Sequence, residues 1–250
     1  MPKITEIFFD CDNTLVLSEE LAFEACADLA NEILEKQGIT VRYTGEQLIQ
    51  DFVGQNFRGM MQSLQAKFKF ELSQEELEGY VTKEEDKVIA KLLEKAQPCV
   101  GASEQVEKLF EEKKYDLAVV SSSALRRVRA SLQKVGQDKY FDHDKIFSAA
   151  TSLPKPTSKP DPAIYLHALK ECGKTAEETV AVEDSVSGAL SAIRANIFVI
   201  GYVGSYHGQE KQAEMSQRLT DLGAHVIMKD WSEFPKCLQE IESRPISPSL

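Results

Sequence analysis

The stretch FFDCDNTL, Phe8–Leu15, decides how this chain is read. Six residues of strand-like sequence, Ile4 to Phe9, run directly into two aspartates separated by a single cysteine. Side chains alternate across a strand, so Asp10 and Asp12 share one side of the strand's end. Two carboxylates that close repel unless a cation or a proton intervenes. The stretch therefore predicts a hydrophobic strand that delivers a charged site.

Outward from it, short β-rich runs recur with helix-length segments between them: ITEIFF (4–9), DLAVVS (116–121), KIFSA (145–149), TVAVE (179–183), IFVIGYV (197–203) and AHVIM (224–228). Strands alternating with helices indicate βαβ units and a parallel sheet covered on both faces. The fold class is a doubly wound parallel-sheet α/β protein. The interval between the first two strands reads helical: ELAFEACADLANEILEKQGI has apolar residues at helical spacing and ends near Gly38. TGEQ (44–47) and SQEE (73–76) carry the spacing of capping boxes. The stretch 71–95 mixes eight acids with Lys83, Lys87, Lys91 and Lys95 and reads as a solvated helix face. AQPCVG (96–101) breaks the helix at Pro98 and Gly101. The expected division is an α/β core over 1–15 and 98–243, a helical insert over 16–97, and a loose tail over 244–250.

Composition narrows the function classes. The 250 residues are 42% hydrophobic and 28% charged, an ordinary soluble globular balance. No apolar run approaches the ~20 residues of a membrane span, so no membrane partner is expected. Without a secretory layout at the amino terminus, the expected location is cytoplasmic. The five cysteines are scattered and never paired as CxxC, which fits reduced thiols. A net charge of −11 argues against nucleic acid, whose phosphates are gripped by clustered Lys and Arg. It leaves room for a small anionic substrate, because a metal ion, one lysine and backbone amides make a local positive site.

In an open parallel sheet, ligands bind beyond the carboxyl ends of the strands. The first strand ends at Asp10-Cys11-Asp12-Asn13-Thr14, the second at Ser121-Ser122-Ser123 and the fourth at Glu183-Asp184-Ser185. Between the third and fourth lies SLPKPTSKPDPAIY, a proline-rich loop with Lys155 and Lys159 that opens a helix. Carboxylates gathered at one sheet edge require a hard cation, and an all-oxygen donor set suits Mg²⁺. Magnesium, a serine at a helix start and a nearby lysine are the parts of a phosphoryl-transfer site. Singly, Asp12-Asn13 also read as turn formers, Ser121–Ser123 as a helix cap, Glu183-Asp184 as an acidic first turn and Lys159 as a surface residue. Together, in order at strand ends, they favour the site.

On these residues the chain resembles the haloacid dehalogenase (HAD) superfamily, in the β-phosphoglucomutase-like and CbbY-like group of phosphatases with a helical cap. FFDCDNTL matches the first motif, Asp-x-Asp-x-Thr after a strand, and LAVVSSS the second. SKPDPAIY matches the third, selecting Lys159 rather than Lys155, and VEDSVSGALSA the fourth. The resemblance implies a Rossmann-like core with the helical insert as a cap. It implies that Asp10 is the nucleophile forming an aspartyl-phosphate, and Asp12 the acid and base. Ser121 binds a phosphoryl oxygen and Lys159 holds the nucleophile. Mg²⁺ sits on the Asp10 carboxylate, the Asp12 carbonyl and Asp184, with Glu183 direct or through water. An acid at Asp12 favours phosphate esters over halides. The implied function is a Mg²⁺-dependent phosphatase acting on a small phosphorylated metabolite, a sugar or polyol phosphate, with a phosphomutase or a nucleotidase as alternatives. A non-catalytic ligand-binding protein is disfavoured by retention of nucleophile and acid together.

Asn13 stands where relatives usually carry glycine, and asparagine tolerates a left-handed backbone better than most residues. In the cap, DFVGQNFRGMMQSL (51–64) is the stretch expected to choose substrate: Gly54 starts a turn, and Gln55, Asn56 and Arg58 join Ser122 and Ser123 as candidate substrate-binding residues. GQNFRG lacks the Gly-Lys-Ser/Thr ending of a nucleotide P-loop. The four histidines are isolated and read as structural. A monomer or weak dimer is expected.

Overall fold

A computed structural model describes residues 3–52 and 55–244; the expected turn at Gly54 and the tail beyond Arg244 lie outside them. The chain divides into two compact units, Met1–Leu17 with Gln97–Leu250, and Ser18–Ala96.

The first unit holds a six-stranded sheet whose strands lie side by side in the order Ile146–Ser148, Asp116–Ser121, Glu6–Phe9, Thr179–Glu183, Phe198–Tyr202 and Val226–Met228. Its strands are β1 (Glu6–Phe9), β4 (Asp116–Ser121), β5 (Ile146–Ser148), β6 (Thr179–Glu183), β7 (Phe198–Tyr202) and β8 (Val226–Met228). All neighbours pair parallel, and β1 lies between β4 and β6. From β1 the chain winds outward through β4 and β5, then returns to place β6 against the other side of β1. The order therefore reverses at β1, where a crevice opens beyond the carboxyl ends. Central strands buried on both faces need continuous apolar runs. EIFF and TVAVE are buried at every position.

Alternation along β1 assigns its residues to two cores. Phe8 joins Ala118, Val120, Ala181 and Val199 beneath α7 (Ala163–Cys172), α8 (Val186–Arg194) and α9 (Gln209–Leu222). Phe9 meets the rings of Phe141, Trp231 and Phe234 on the opposite face, with α10 (Phe234–Ser243) supplying the last. Helices α5 (Ala102–Glu112) and α6 (Leu125–Lys134) complete the winding.

One pairing had no counterpart in the sequence reading. Val16–Leu17 (β2) and Gln97–Pro98 (β3) form a two-stranded antiparallel ribbon. Because the ribbon belongs to the first unit, the division falls after Leu17 and after Ala96, displaced slightly from the expected 15 and 97.

The second unit comprises α1 (Glu19–Lys36), α2 (Gly45–Asp51), α3 (Phe57–Phe68) and α4 (Gln74–Lys95). Both capping boxes form, at Thr44 with Gln47 and at Ser73 with Glu76. Leu29, Ile33, Leu34, Leu48, Phe57, Met60, Met61 and Leu64 build its apolar centre. The lysines of α4 do more than face water. Lys83 and Lys87 reach Glu32 of α1 at 2.5 and 3.4 Å, and Lys91 reaches Asp28 and Glu24 at 2.9 and 3.2 Å. Such half-exposed pairs contribute only about 0.2–1 kcal/mol each, so the apolar centre holds the unit and the ladder sets helix register.

Glu6 is the discordant residue of the central strand. It is 1% exposed, and neither carboxyl oxygen has a hydrogen-bond partner. Burial, reinforced by Asp116 and opposed by Lys174 and Lys145, raises its carboxyl to about 7. The folded form thus binds a proton that the unfolded form releases near 4.5, so stability is full below pH 4.5 and declines as pH rises through 7. Glu6→Gln is expected to be neutral at pH 5 and stabilising at pH 8 by on the order of 2–3 kcal/mol. Denaturant unfolding at the two pH values checks this; an equal effect at both would contradict it.

Candidate active site

Asp10, Asp12 and Ser121 sit where strands of the central trio stop, while Lys159 comes from the loop between β5 and α7. Asp10 follows β1, its main-chain N donating to Val182 O at 3.0 Å and so extending the pairing with β6. The chain then turns sharply: Asn13, at φ 56°, donates to Val16 O at 2.7 Å. The left-handed conformation expected of Asn13 is adopted. Ser121 ends β4, and Glu183 ends β6 with Asp184 immediately after.

Lys159 is the hub. Its side chain is 3% exposed and its ammonium uses all three donors, to Asp10 Oδ1 at 2.6 Å, Glu183 Oε1 at 2.6 Å and Val120 O at 2.7 Å. Ser122 Oγ accepts from the Lys159 main-chain N at 3.1 Å and fixes the loop that delivers it. Lys155 is exposed, consistent with the choice of Lys159. Burial alone would lower the Lys159 ammonium; Asp10 and Glu183 outweigh it and hold the group above the ordinary lysine range. Burial raises the Asp10 carboxyl, Glu183 and Asp12 push the same way, and Lys159 opposes them. One lysine does not balance this many carboxylates, and the site calls for further positive charge.

The donor set fits a hard divalent ion. Asp10, Glu183 and Asp184 each present a carboxylate oxygen within 4.8 Å of the others, and all three are buried. Glu183 Oε2 is buried without a hydrogen-bond partner. It occupies a hollow that exists because residue 188 is glycine: a Cβ there would stand 1.8 Å from Oε2. Thr14 Oγ1 approaches Asp184 Oδ1 at 3.4 Å.

Asp12 lies beside this cluster, its Oδ2 accepting from Ser123 Oγ at 2.7 Å and Ser121 Oγ at 3.2 Å. Ser123 is anchored in turn, its carbonyl accepting from Ser148 Oγ at 2.7 Å. The sequence reading named neither Ser148 nor Tyr165, a buried residue of α7 whose hydroxyl donates to Glu183 Oε1. Nothing in SKPDPAIY separates that hydroxyl from an ordinary core aromatic. In the second unit, Asn56 caps α3 by accepting from Gly59 N at 3.0 Å, Gln55 accepts from Ser63 Oγ at 2.9 Å, and Arg58 forms a forked pair with Glu78. Of the histidines, His225 is built into the sheet edge, with Nδ1 accepting from Val199 N at 3.1 Å.

A doubly wound parallel sheet that gathers three buried carboxylates around one buried lysine at its reversal point is the arrangement of an α/β enzyme site. The chain belongs to the haloacid dehalogenase-like hydrolase family, whose model matches residues 7–202. It is 29% identical over 209 residues to 6-phosphogluconate phosphatase of Escherichia coli (strain K12), covering 84% of this chain and 87% of that one. It is 25% identical over 233 residues to the pyrophosphatase PpaX of Listeria welshimeri, covering 90% and 97%. Among solved structures, a haloacid dehalogenase-like protein from Agrobacterium tumefaciens superimposes with TM-score 0.72 at 26% identity, over 96% of this chain and all of the other. No helix among the described residues is long and apolar enough to cross a membrane.

Proposed function

We propose that the protein is a Mg²⁺-dependent phosphatase for a small phosphorylated metabolite, a sugar or polyol phosphate, acting through an aspartyl-phosphate on Asp10. The buried Asp10, Glu183 and Asp184 cluster with Lys159 at its centre carries this reading. The relatives named as phosphatase and pyrophosphatase support the class of substrate.

Asp10 Oδ attacks phosphorus, and the bond from phosphorus to the ester oxygen breaks. Asp12 gives its proton to that departing oxygen and becomes a carboxylate. A water then loses a proton to Asp12 and attacks the phosphorus, releasing inorganic phosphate and restoring the Asp10 carboxylate. Ser121 and Lys159 contribute hydrogen bonds and positive charge to the phosphoryl oxygens and the nucleophile. Asp10, Asp184, the Asp12 carbonyl and Glu183, direct or through water, would hold Mg²⁺, which when bound supplies Lewis-acid neutralisation of phosphoryl charge. Ser122, Ser123, Gln55, Asn56 and Arg58 stay assigned to substrate binding on the family resemblance.

A panel of sugar, polyol and nucleotide phosphates assayed with Mg²⁺ is expected to release inorganic phosphate, with sugar or polyol phosphates the best substrates. Conversion of β-glucose 1-phosphate to glucose 6-phosphate without free phosphate would instead establish a mutase. A preference for nucleotides would establish a nucleotidase.

A further inference from the structure

Glu183 is held by more than its neighbouring lysine. Its Oε1 accepts from Lys159 Nζ at 2.6 Å and from the Tyr165 hydroxyl, while Oε2 rests in the hollow over Gly188. Glu183 and Tyr165 are both fully buried, so no water replaces a lost donor. The Tyr165 ring packs on Phe8 at 6.2 Å and lies 5.3 Å from the Lys159 ammonium, so the ring itself is fixed by the core. Lys159 has no spare donor: if Glu183 turns away, the ammonium loses one of three anchors and the reach to Asp10 loosens.

We propose that Tyr165 is a positioning residue, which clamps Glu183 through its hydroxyl and thereby aims Lys159 at Asp10. It touches none of the reacting atoms. Gly188 serves the same carboxylate from the other side by leaving room for Oε2. The kinetic part of the proposal rests on the phosphatase reading; the geometric part does not.

Tyr165→Phe keeps the ring and removes the clamp, so the fold is expected to persist. A crystal structure of the variant is expected to show the Lys159 to Glu183 contact opened beyond hydrogen-bond distance; an unmoved Glu183, Lys159 and Asp10 chain would overturn the inference whatever the enzyme's activity. With the best ester of the panel, kcat is expected to fall about tenfold while KM stays within about twofold, since a buried donor to a charged group is lost and no substrate contact is. If the wild type turns over, an unchanged kcat in Tyr165→Phe would also overturn it. Gly188→Ala disturbs the same carboxylate, so the double variant is expected to lose much less than the product of the single losses. Independent, multiplying losses would mean that the two residues do not act through Glu183. If the wild type itself hydrolyses no ester, the phosphatase reading fails and the crystallographic comparison alone decides the role of Tyr165.

Discussion

Asp10→Asn is expected to reduce ester hydrolysis by at least about a thousandfold and to leave the metal-free protein at least as stable as wild type. The amide has the shape of the carboxylate, and its oxygen still accepts from Lys159. It has no electron pair able to form a stable bond to phosphorus, so neither half of the reaction proceeds. The stability side follows from burial. Asp10 is 7% exposed, and burial together with Glu183 and Asp12 raises its carboxyl, so the charge is a cost to the metal-free fold. Replacing that charge with an amide lifts the cost and leaves Lys159 paired with Glu183 at 2.6 Å. Steady-state kinetics and calorimetry of the metal-free proteins check both halves. In acid-quenched mixtures with labelled substrate, wild type is expected to carry label on protein and the variant none. Turnover above about a tenth of wild type would remove Asp10 from the role of nucleophile.

The parts of this fold legible in the sequence were those with a periodicity or a punctuation mark. EIFF, DLAVVS and TVAVE are dense in β-formers and each stops at polar residues, so the strands and the polar ends they deliver could be read, though not their order in the sheet. The ribbon of Val16–Leu17 with Gln97–Pro98 could not, because two residues carry no period and the partners lie a whole unit apart. The α4 lysines show the limit of charge patterning: alternating sign looks the same whether the opposite charge is on solvent ions or on Glu24, Asp28 and Glu32 of α1. Glu6 shows another, since its place on a wholly buried strand follows only from knowing that β4 and β6 flank it. At the site, Asp10, Glu183 and Asp184 were legible because strand ends converge in a doubly wound sheet, whereas Lys159, in the loop after β5, was separated from Lys155 only by the family resemblance. The distribution of hydrogen bonds was not. That Ser123 serves Asp12, and that Tyr165 serves Glu183, depends on helix placement within an ångström, which no motif records.

Lys159→Met is the substitution whose damage is expected to divide cleanly into two parts. Methionine fills most of the lysine volume but leaves Asp10 and Glu183 facing each other in a dry site with no counter-charge. Breaking a buried pair by removing one partner costs about 3–5 kcal/mol, and here one cation serves two anions. Without the lysine the Asp10 carboxyl, already raised by burial, rises further, so its folded-state value lies above the unfolded one. The variant's stability is therefore best at low pH and declines as pH rises through neutrality, and its deficit relative to wild type is expected to be larger at pH 8 than at pH 5. Added Mg²⁺ supplies charge to the same carboxylates, so millimolar MgCl₂ is expected to recover part of the lost stability, more than it adds to wild type. Turnover is expected to stay at least about a hundredfold down, because an ion on the carboxylates restores charge without restoring the three-way anchorage that aims Asp10. Thermal unfolding at both pH values, with and without MgCl₂, and kinetics on the best ester separate the two. A variant that melts with wild type at pH 8 would show that Lys159 neutralises nothing; recovery of turnover with Mg²⁺ would show that its charge alone matters.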